Sequence, residues 1–420
     1  MSARRTLALL AAIAAIVSAC AGPAPIPPPP IETQPVTRPN VLEGIAAYPM
    51  GDLHGDVALV LRGKPNFAAG SIQMGELWAV PLDGTSPRLL LRYPGGAVGV
   101  GYPQLGFTVL ARQLSPDARR LVLSASFLDQ TQFYGPQYRG RLVIVDLNTS
   151  DARVVGADDP RQYVNRPAWS PDGERIAYEG IGVPSFTGTG IYTMRTDGSD
   201  TRQLCTATSG ADARGYGAFF GCAVVLGWSP DGRVAFAEVD GFSLVDQNGN
   251  IERSGYYLSS VTTVSWRKDR PQFATAIVAD PHGSGIASPI TGERQIIVGD
   301  MRRSTPTILA RSPDVPLFDA RWRPGADQVL FRKDKPPGSK VMLAAAGSAT
   351  EIGREFTCPA RAEWSTDGRT VVYLSECEGG VFTVRAIDVT DPSSRGVDRL
   401  LAQLPDAVGW LPVDLAVVRY

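Results

Sequence analysis

The residues able to do chemistry are few and poorly grouped. The 420-residue chain has two histidines, His54 and His282, far apart in sequence. Imidazole is the usual general base and metal ligand near neutral pH, and two distant rings cannot make a histidine-rich metal set. His54 lies in Gly51-Asp52-Leu53-His54-Gly55, which reads as a solvated turn. The closest string to a nucleophile motif, His282-Gly283-Ser284-Gly285, is a flexible loop and not a Gly-x-Ser-x-Gly elbow. No phosphate-cradling Gly loop or dinucleotide fingerprint occurs, so no cofactor and no metal is expected. Carboxylates remain as the basis for any lyase or hydrolase chemistry. Two other groups suit recognition: Phe133, Tyr134 and Tyr138 with Arg139, and Tyr216, Phe219 and Phe220 after Arg214. Aromatic rings with arginine are what interface hot spots use, although such rings can also fold back to plug the fold or pack on neighbours.

Composition sets the background. The chain is 44% apolar and 20% charged, with 41 basic and 42 acidic residues and a net charge of -1. No basic block stands out, which argues against nucleic acid or an anionic membrane surface as a partner. The 44 glycines and 34 prolines suit many short strands joined by turns.

The first residues fix the expected compartment. Arg4 and Arg5 precede an apolar stretch, Leu7 to Val17, too short to span a bilayer and typical of a secretory signal. It ends in Val17-Ser18-Ala19-Cys20, which resembles the lipobox of bacterial lipoproteins. That resemblance implies removal of residues 1–19 and lipidation of the Cys20 thiol. The other reading is an ordinary cleaved signal with an incidental cysteine. Residues 20–40 then form the lipidated cysteine and a Pro-rich tether, including Pro27-Pro28-Pro29-Pro30. Polyproline II at ~3.1 Å per residue gives it a reach of ~50–60 Å. A Pro-rich ligand for a partner domain is the alternative use.

From residue 41 to 420 the chain repeats. Trp169-Ser170-Pro171-Asp172-Gly173 recurs at Trp228-Ser229-Pro230-Asp231-Gly232 and at Trp364-Ser365-Thr366-Asp367-Gly368. Weaker copies start at Leu114, Trp266, Trp322 and Trp410. A strand ends at the tryptophan, Pro presets φ, Asp caps the bend, and Gly supplies the positive φ of a tight hairpin. A second hairpin follows in each unit, as in Ile191 to Gly198. Each unit is therefore four antiparallel strands, a to d, which arranged radially make a β-propeller. The expected fold is all-β, with seven blades starting near Gly51, Leu114, Trp169, Trp228, Trp266, Trp322 and Trp364; eight are possible. The segments Val408-Gly409-Trp410 and Leu415 to Val418 read as strands a and b of an unfinished unit that closes the ring with N-terminal strands. The Trp-Ser-Pro-Asp-Gly turn with its following hairpin resembles the repeat of the TolB family and of prolyl-oligopeptidase propellers. These motif residues are turn and core positions, so the resemblance speaks to fold rather than activity. Lyases with related propellers hold a metal through several histidines, which this chain lacks, and the turns lack sialidase Asp-box spacing.

Four cysteines follow Cys20, an even number that suits two disulfides in an exported protein. Of three pairings the repeat selects Cys205–Cys222 and Cys358–Cys377. Cys222 and Cys358 each sit six residues before a repeat tryptophan, and Cys377 ends the strand opposite Cys358. Zinc held by four thiolates is the rival, without any Cys-x-x-Cys pair to favour it.

Strand order puts the a–b and c–d turns on one face and the b–c and d–a connections on the other. The first set is short. The second is long: Leu128 to Gly140, Ile181 to Gly190, Thr206 to Gly221 and Asp280 to Gly292. Elaboration on one face marks it as the expected partner surface. The expectation is a monomeric, non-enzymatic, lipid-tethered scaffold in the cell envelope, on the outer face of the cytoplasmic membrane or on the outer membrane. Its expected partners are envelope proteins or lipoproteins, and its only membrane contact is the anchor. A glycan or small-ligand sensor and a carboxylate-based propeller enzyme are the alternatives.

Overall fold

The middle strands of the units carry apolar residues at successive positions, and the structure shows why. Val57, Leu59 and Leu61 pack into one seam while Ala58 and Val60 pack into the next. The same split separates Leu77 and Ala79 from Trp78 and Val80. A blade has a neighbour on both faces, so the two-residue period of a strand sends alternate side chains into two different cores. Each such aliphatic or aromatic side chain contributes ~1.5–3 kcal/mol when buried.

The computed structural model describes residues 46–420 outside 67–70, 94–103, 107–109, 130–136, 157–161, 183–188, 212–216, 223, 239–240, 255–262, 280–292, 302–304, 336–337, 346–347, 357–360, 377–380, 391–397 and 406–409. The signal, Cys20 and the tether lie outside the described residues. Among those described, no helix is long and apolar enough to cross a membrane.

Seven blades follow one another. The first joins Leu411–Arg419, Asp56–Asn66, Ser71–Pro81 and Arg88–Tyr93, with Ala46–Ala47 on its outer edge. The second holds Arg120–Asp129, Gln137–Asp146 and Ala152–Val155, and its inner strand is replaced by the helical turn Leu110–Gln113 and a Leu114–Leu121 bridge. The third is Gln162–Trp169, Arg175–Gly182, Gly190–Arg195 and Arg202–Ala211. Val224–Trp228, Val234–Glu238, Gly241–Val245 and Ile251–Arg253 make the fourth. The fifth comprises Ser265–Trp266, Gln272–Ala279, Glu293–Asp300 and Thr307–Ser312. The sixth runs Leu317–Trp322, Val329–Lys335, Gly338–Ala345 and Ser348–Phe356. Ala362–Trp364, Thr370–Glu376, Phe382–Asp388 and Asp398–Leu404 complete the seventh.

Each pair of successive blades shares an apolar seam, including the seventh with the first, where Val372, Leu374, Phe382 and Val384 meet Ala58, Val60 and Trp78. The ring is closed, and the expected mixing of both chain ends in one blade is present. Its form corrects the sequence reading. The late segment supplies one strand, not an a–b pair: Leu411–Arg419 is the inner strand, and Asp56–Asn66 serves as strand b beside it. Gly55 and Tyr420 exchange backbone hydrogen bonds of 3.0 Å in both directions at the end of this pair.

The turns behave as their residues require. The Ser170 hydroxyl donates to Asp172 Oδ1 at 2.5 Å and accepts the Arg175 N–H at 2.9 Å, while Asp172 Oδ1 accepts the Glu174 N–H at 3.0 Å. Ser365 and Asp367 repeat the pattern, and Gly173 takes φ 74°. In the weak copy Ser115-Pro116-Asp117, Ala118 occupies the glycine position at φ 57°. The aspartates are thus hairpin caps, as the motif suggested.

Cys205 and Cys222 form a disulfide with Cα atoms 5.9 Å apart, as the repeat predicted. Cys358 and Cys377 lie outside the described residues. The bridge links the outer strand of the third blade to the approach of the fourth across a separation of 17 residues. Replacing both cysteines by serine is expected to lower unfolding free energy by ~3 kcal/mol through lost loop constraint. Urea denaturation checks this, and an unchanged midpoint would contradict it.

Candidate functional site

The elaborated face is built differently from the loops expected there. In the segment Leu128 to Gly140 the described residues are strand: Arg120–Asp129 and Gln137–Asp146 stay paired out to Asp129 opposite Gln137, with 130–136 outside the described residues. Tyr138 and Arg139 therefore lie in a ladder, opposite Leu128 and Phe127. Thr206 to Gly221 is likewise a hairpin, in which Gly217–Gly221 pairs with Arg202–Ala211 and sets Phe219 opposite Ser209 and Phe220 opposite Thr208. Phe133, Tyr134, Arg214 and Tyr216 lie outside the described residues. The short strand Gln104–Gly106 bridges Ser71–Pro81 of the first blade and Arg120–Asp129 of the second. In these connections the described residues form hydrogen-bonded ladders rather than irregular loops, while most of Ile181 to Gly190 and all of Asp280 to Gly292 lie outside the described residues. The disulfide sits at the base of the Phe219–Phe220 hairpin, just beyond the Ala207–Gly221 pair.

A second constellation went unnoticed in sequence. The inner strands place charged residues one and three positions before the repeat tryptophan: Asp319 and Arg321 before Trp322, Arg361 and Glu363 before Trp364, and Arg166 before Trp169. Asp414 adds a carboxylate from the inner strand of the first blade, and Arg112 a guanidinium from the helical turn of the second. These residues lie on or beside the inner strands of their blades. In a propeller the inner side is the axis. Arg166 and Asp319 hold positive φ, 43° and 55°, where the inner strands of the third and sixth blades shift register. Positive φ in non-glycine residues costs of order 1–3 kcal/mol and persists only where surroundings impose it.

These groups interlock. Arg361 donates to Asp319 Oδ2 at 2.8 Å, and Arg332 to the same oxygen at 3.1 Å. Arg321 donates to Glu363 at 3.1 Å, and Glu363 also accepts the Trp364 N–H at 3.0 Å. Glu179 Oε1 accepts from Arg166 at 2.9 Å and from the Val225 N–H at 2.8 Å, tying the third blade to the fourth. Asp414 accepts the Leu110 N–H, capping the helical turn, and stands 4.0 Å from Arg361. Burial pushes the Asp319 carboxyl up, but Arg361, Arg321 and Arg332 together hold it below the ordinary range. For Glu363, Asp414 and Glu179 burial prevails, and each carboxyl lies above its ordinary value despite the neighbouring arginines.

A raised carboxyl pKa is what a general acid requires. Here, however, the oxygens face arginines and backbone N–H groups, which suits charge anchoring better than proton transfer. Among the described residues no group of three or more His, Cys, Asp or Glu side chains could hold a metal ion. His54 is exposed, with Nδ1 2.9 Å from the Asp52 carbonyl, and stands at the turn face beside Gly55. His282 lies outside the described residues.

No protein-family model matches the chain, and no curated protein matches it. Similar solved structures include TolB from Acinetobacter baumannii, at 16% identity over 87% of this chain and 68% of that one, with a TM-score of 0.40. A putative TolB from Agrobacterium tumefaciens is 13% identical over 87% of this chain and 99% of its own, with a TM-score of 0.42. An oligogalacturonate lyase from Vibrio parahaemolyticus is 13% identical over 68% and 73%, with a TM-score of 0.44. At these identities the likeness is one of fold: the chain is a seven-bladed β-propeller with TolB proteins among its structural neighbours.

Proposed function

We propose that the chain is a lipid-anchored propeller of the cell envelope that acts as a non-enzymatic scaffold, docking another envelope protein on its b–c and d–a face. The observation that carries this reading is the build of that face. Two hairpins extend beyond the blade pattern, one with a disulfide at its base, and a short strand laces two blades together. Ladder hydrogen bonds and a cross-link order a surface before it binds, which lowers the entropy lost on association. The opposite face carries Asp-capped turns, whose side chains are spent on their own backbone. The lipobox-like Val17-Ser18-Ala19-Cys20 supplies the anchor in this reading.

Crosslinking in intact cells, followed by recovery of the chain, tests the scaffold. The combined change of Tyr138, Phe219 and Phe220 to alanine is expected to reduce recovered envelope proteins at least fivefold. Changes on the turn face at Asp172, Asp197 and Asp231 should leave recovery intact. The reverse result would place the binding face on the other side. Cys20→Ser should release the chain from membranes, and a variant that stays as firmly bound as wild type removes the anchor from the proposal.

A further inference from the structure

Among the described residues, one cation near the axis makes no ion pair. Arg332 and Arg361 share Asp319, Arg321 is held by Glu363, and Arg166 by Glu179. Arg112 has no carboxylate within ion-pair distance among the described residues. Among the described residues its one hydrogen bond runs from Nη1 to the Val225 carbonyl on the inner strand of the fourth blade, at a long 3.4 Å. The side chain crosses from the second blade to lie against Gly227, where a Cβ would stand 3.4 Å from Arg112 Cδ and Nε. Gly227 occupies the position that carries Arg321 and Glu363 in the sixth and seventh blades. The absence of a side chain there lets the stem of Arg112 pass against the inner strand of the fourth blade. A guanidinium carries five N–H donors, so most of those on Arg112 have no acceptor among the described residues.

Such a group is costly to bury without a partner. Burial, with the charges of Arg321 and Arg166 nearby, presses its pKa down to about 9, so it remains cationic at neutral pH. Taken as a whole residue, Arg112 is half-buried. The nearest carboxylates are already committed: Glu179 to Arg166 and the Val225 N–H, Asp414 to the Leu110 N–H.

We propose that Arg112, brought against the fourth blade where Gly227 lacks a side chain, forms a binding site for a small oxyanion, the carboxylate or phosphoryl group of a ligand entering along the propeller axis. A planar two-oxygen or tetrahedral anion matches the free edge of a guanidinium, which a single carbonyl does not. The helical turn has a clear part in this. A regular inner strand would hold residue 112 in the wall of the ring, whereas Leu110–Gln113 carries its side chain across to the fourth blade. Its ligand is bound by chemistry that the scaffold reading does not use.

The test is isothermal titration of the full-length chain in detergent with acetate and with inorganic phosphate, each against sodium chloride at matched ionic strength. Saturable binding of at least one oxyanion, absent with chloride, is expected. Tighter acetate binding assigns a carboxylate ligand, and tighter phosphate binding a phosphoryl one. Arg112→Lys keeps the charge and the aliphatic stem but loses the fork, and should weaken binding about tenfold, a step typical of losing a charge-assisted hydrogen bond. A crystal of the wild-type chain soaked in selenate gives an independent readout, with an anomalous peak expected beside Arg112. No saturable binding by either anion overturns the proposal. So does equal affinity in Arg112→Lys together with a selenate peak elsewhere, since Arg112 would then serve only to grip the fourth blade. Either failure leaves partner recovery by the docking face untouched.

Discussion

Replacing Arg62 by alanine is expected to lower the unfolding free energy by ~3–5 kcal/mol, the usual effect of stripping one partner from a buried ion pair. Arg62 is only 2% exposed and lies at the seam between the seventh blade and the first. Its Nη2 and Nε donate to Glu76 Oε2 at 2.7 and 3.2 Å, and Nη1 donates to the Pro405 carbonyl where the seventh blade ends. The guanidinium lies over Trp78, Phe382 and Trp410 at 5.5, 5.2 and 5.5 Å from the ring centroids. Removing it leaves Glu76 with Trp78 and the half-exposed Arg92 alone, and leaves a carbonyl without its donor. Denaturant unfolding of Arg62→Ala beside the double variant Arg62→Met/Glu76→Leu separates charge from packing, because the double variant leaves no stranded charge and should recover much of the loss. Acid adds a second signature. Burial raises the Glu76 carboxyl, but hydrogen bonds from Arg62 and Trp78 and the charges of Arg62 and Arg92 outweigh it, so its pKa lies below 4.5. Its contribution is complete above about 4.5 and is lost as pH falls through the lower folded value. Glu76→Gln should therefore show a shallower decline in stability below that point than wild type.

The second large effect is expected at Trp364. Trp364→Ala should cost ~3–5 kcal/mol, since a buried indole is replaced by a cavity that its neighbours fill only in part. The ring is 3% exposed and packs with Leu330, Tyr373 and Ile387 in the seam between the sixth and seventh blades. Arg323 of the preceding blade lies 5.3 Å above its centroid, and the indole N–H donates to the Arg321 carbonyl at 3.4 Å. Arg120 stands over Trp169 at 4.8 Å and Arg267 over Trp322 at 5.1 Å, so an arginine of one blade covering the tryptophan of the next is a recurring joint. Trp169→Ala should behave similarly, being 5% exposed. Half-buried Trp228 and Trp266 should lose less. Thermal melting of the four variants checks the ranking, and an unchanged curve for Trp364→Ala would show that the ring is not a packing element.

Much of this was legible because turn and core residues dominate the repeat. Trp169, Trp228 and Trp364 end inner strands as their motif required, and the blade starts assigned around the ring match seven blades. The reading of Trp410-Leu411-Pro412 as another strand-ending turn misled, because proline there looks like turn punctuation. Instead the strand runs straight through, and Pro412 sits where the ladder shifts register between Leu61 and Arg62. Bulges are among the few places a sheet tolerates proline. The cysteine pair Cys205–Cys222 was readable because its spacing relative to Trp228 is a property of the repeat. The hairpins carrying Tyr138 and Phe219 were read as loops, since glycine and aromatic runs carry little strand periodicity. The charged axis had a readable trace in Asp319-Ala320-Arg321-Trp322 and Arg361-Ala362-Glu363-Trp364, where charge alternates in a strand that should be apolar. What sequence could not show was Arg112, whose position depends on a helical turn replacing a strand.

The closure of the first blade also sets an order of events when the chain is made. Asp56–Asn66 emerges early yet has no inner neighbour until Leu411–Arg419 has been synthesised. Until then its inner edge is an open template for other strands, of the kind that leads to misassociation. Asp414 arrives on the same late strand, so the Leu110–Gln113 turn gains its cap only at that moment. The ring therefore locks and its axis becomes complete in a single late step, across a sequence separation of over three hundred residues. Such a long-range step is slow by nature. A newly made copy must be kept from its neighbours for as long as that step takes.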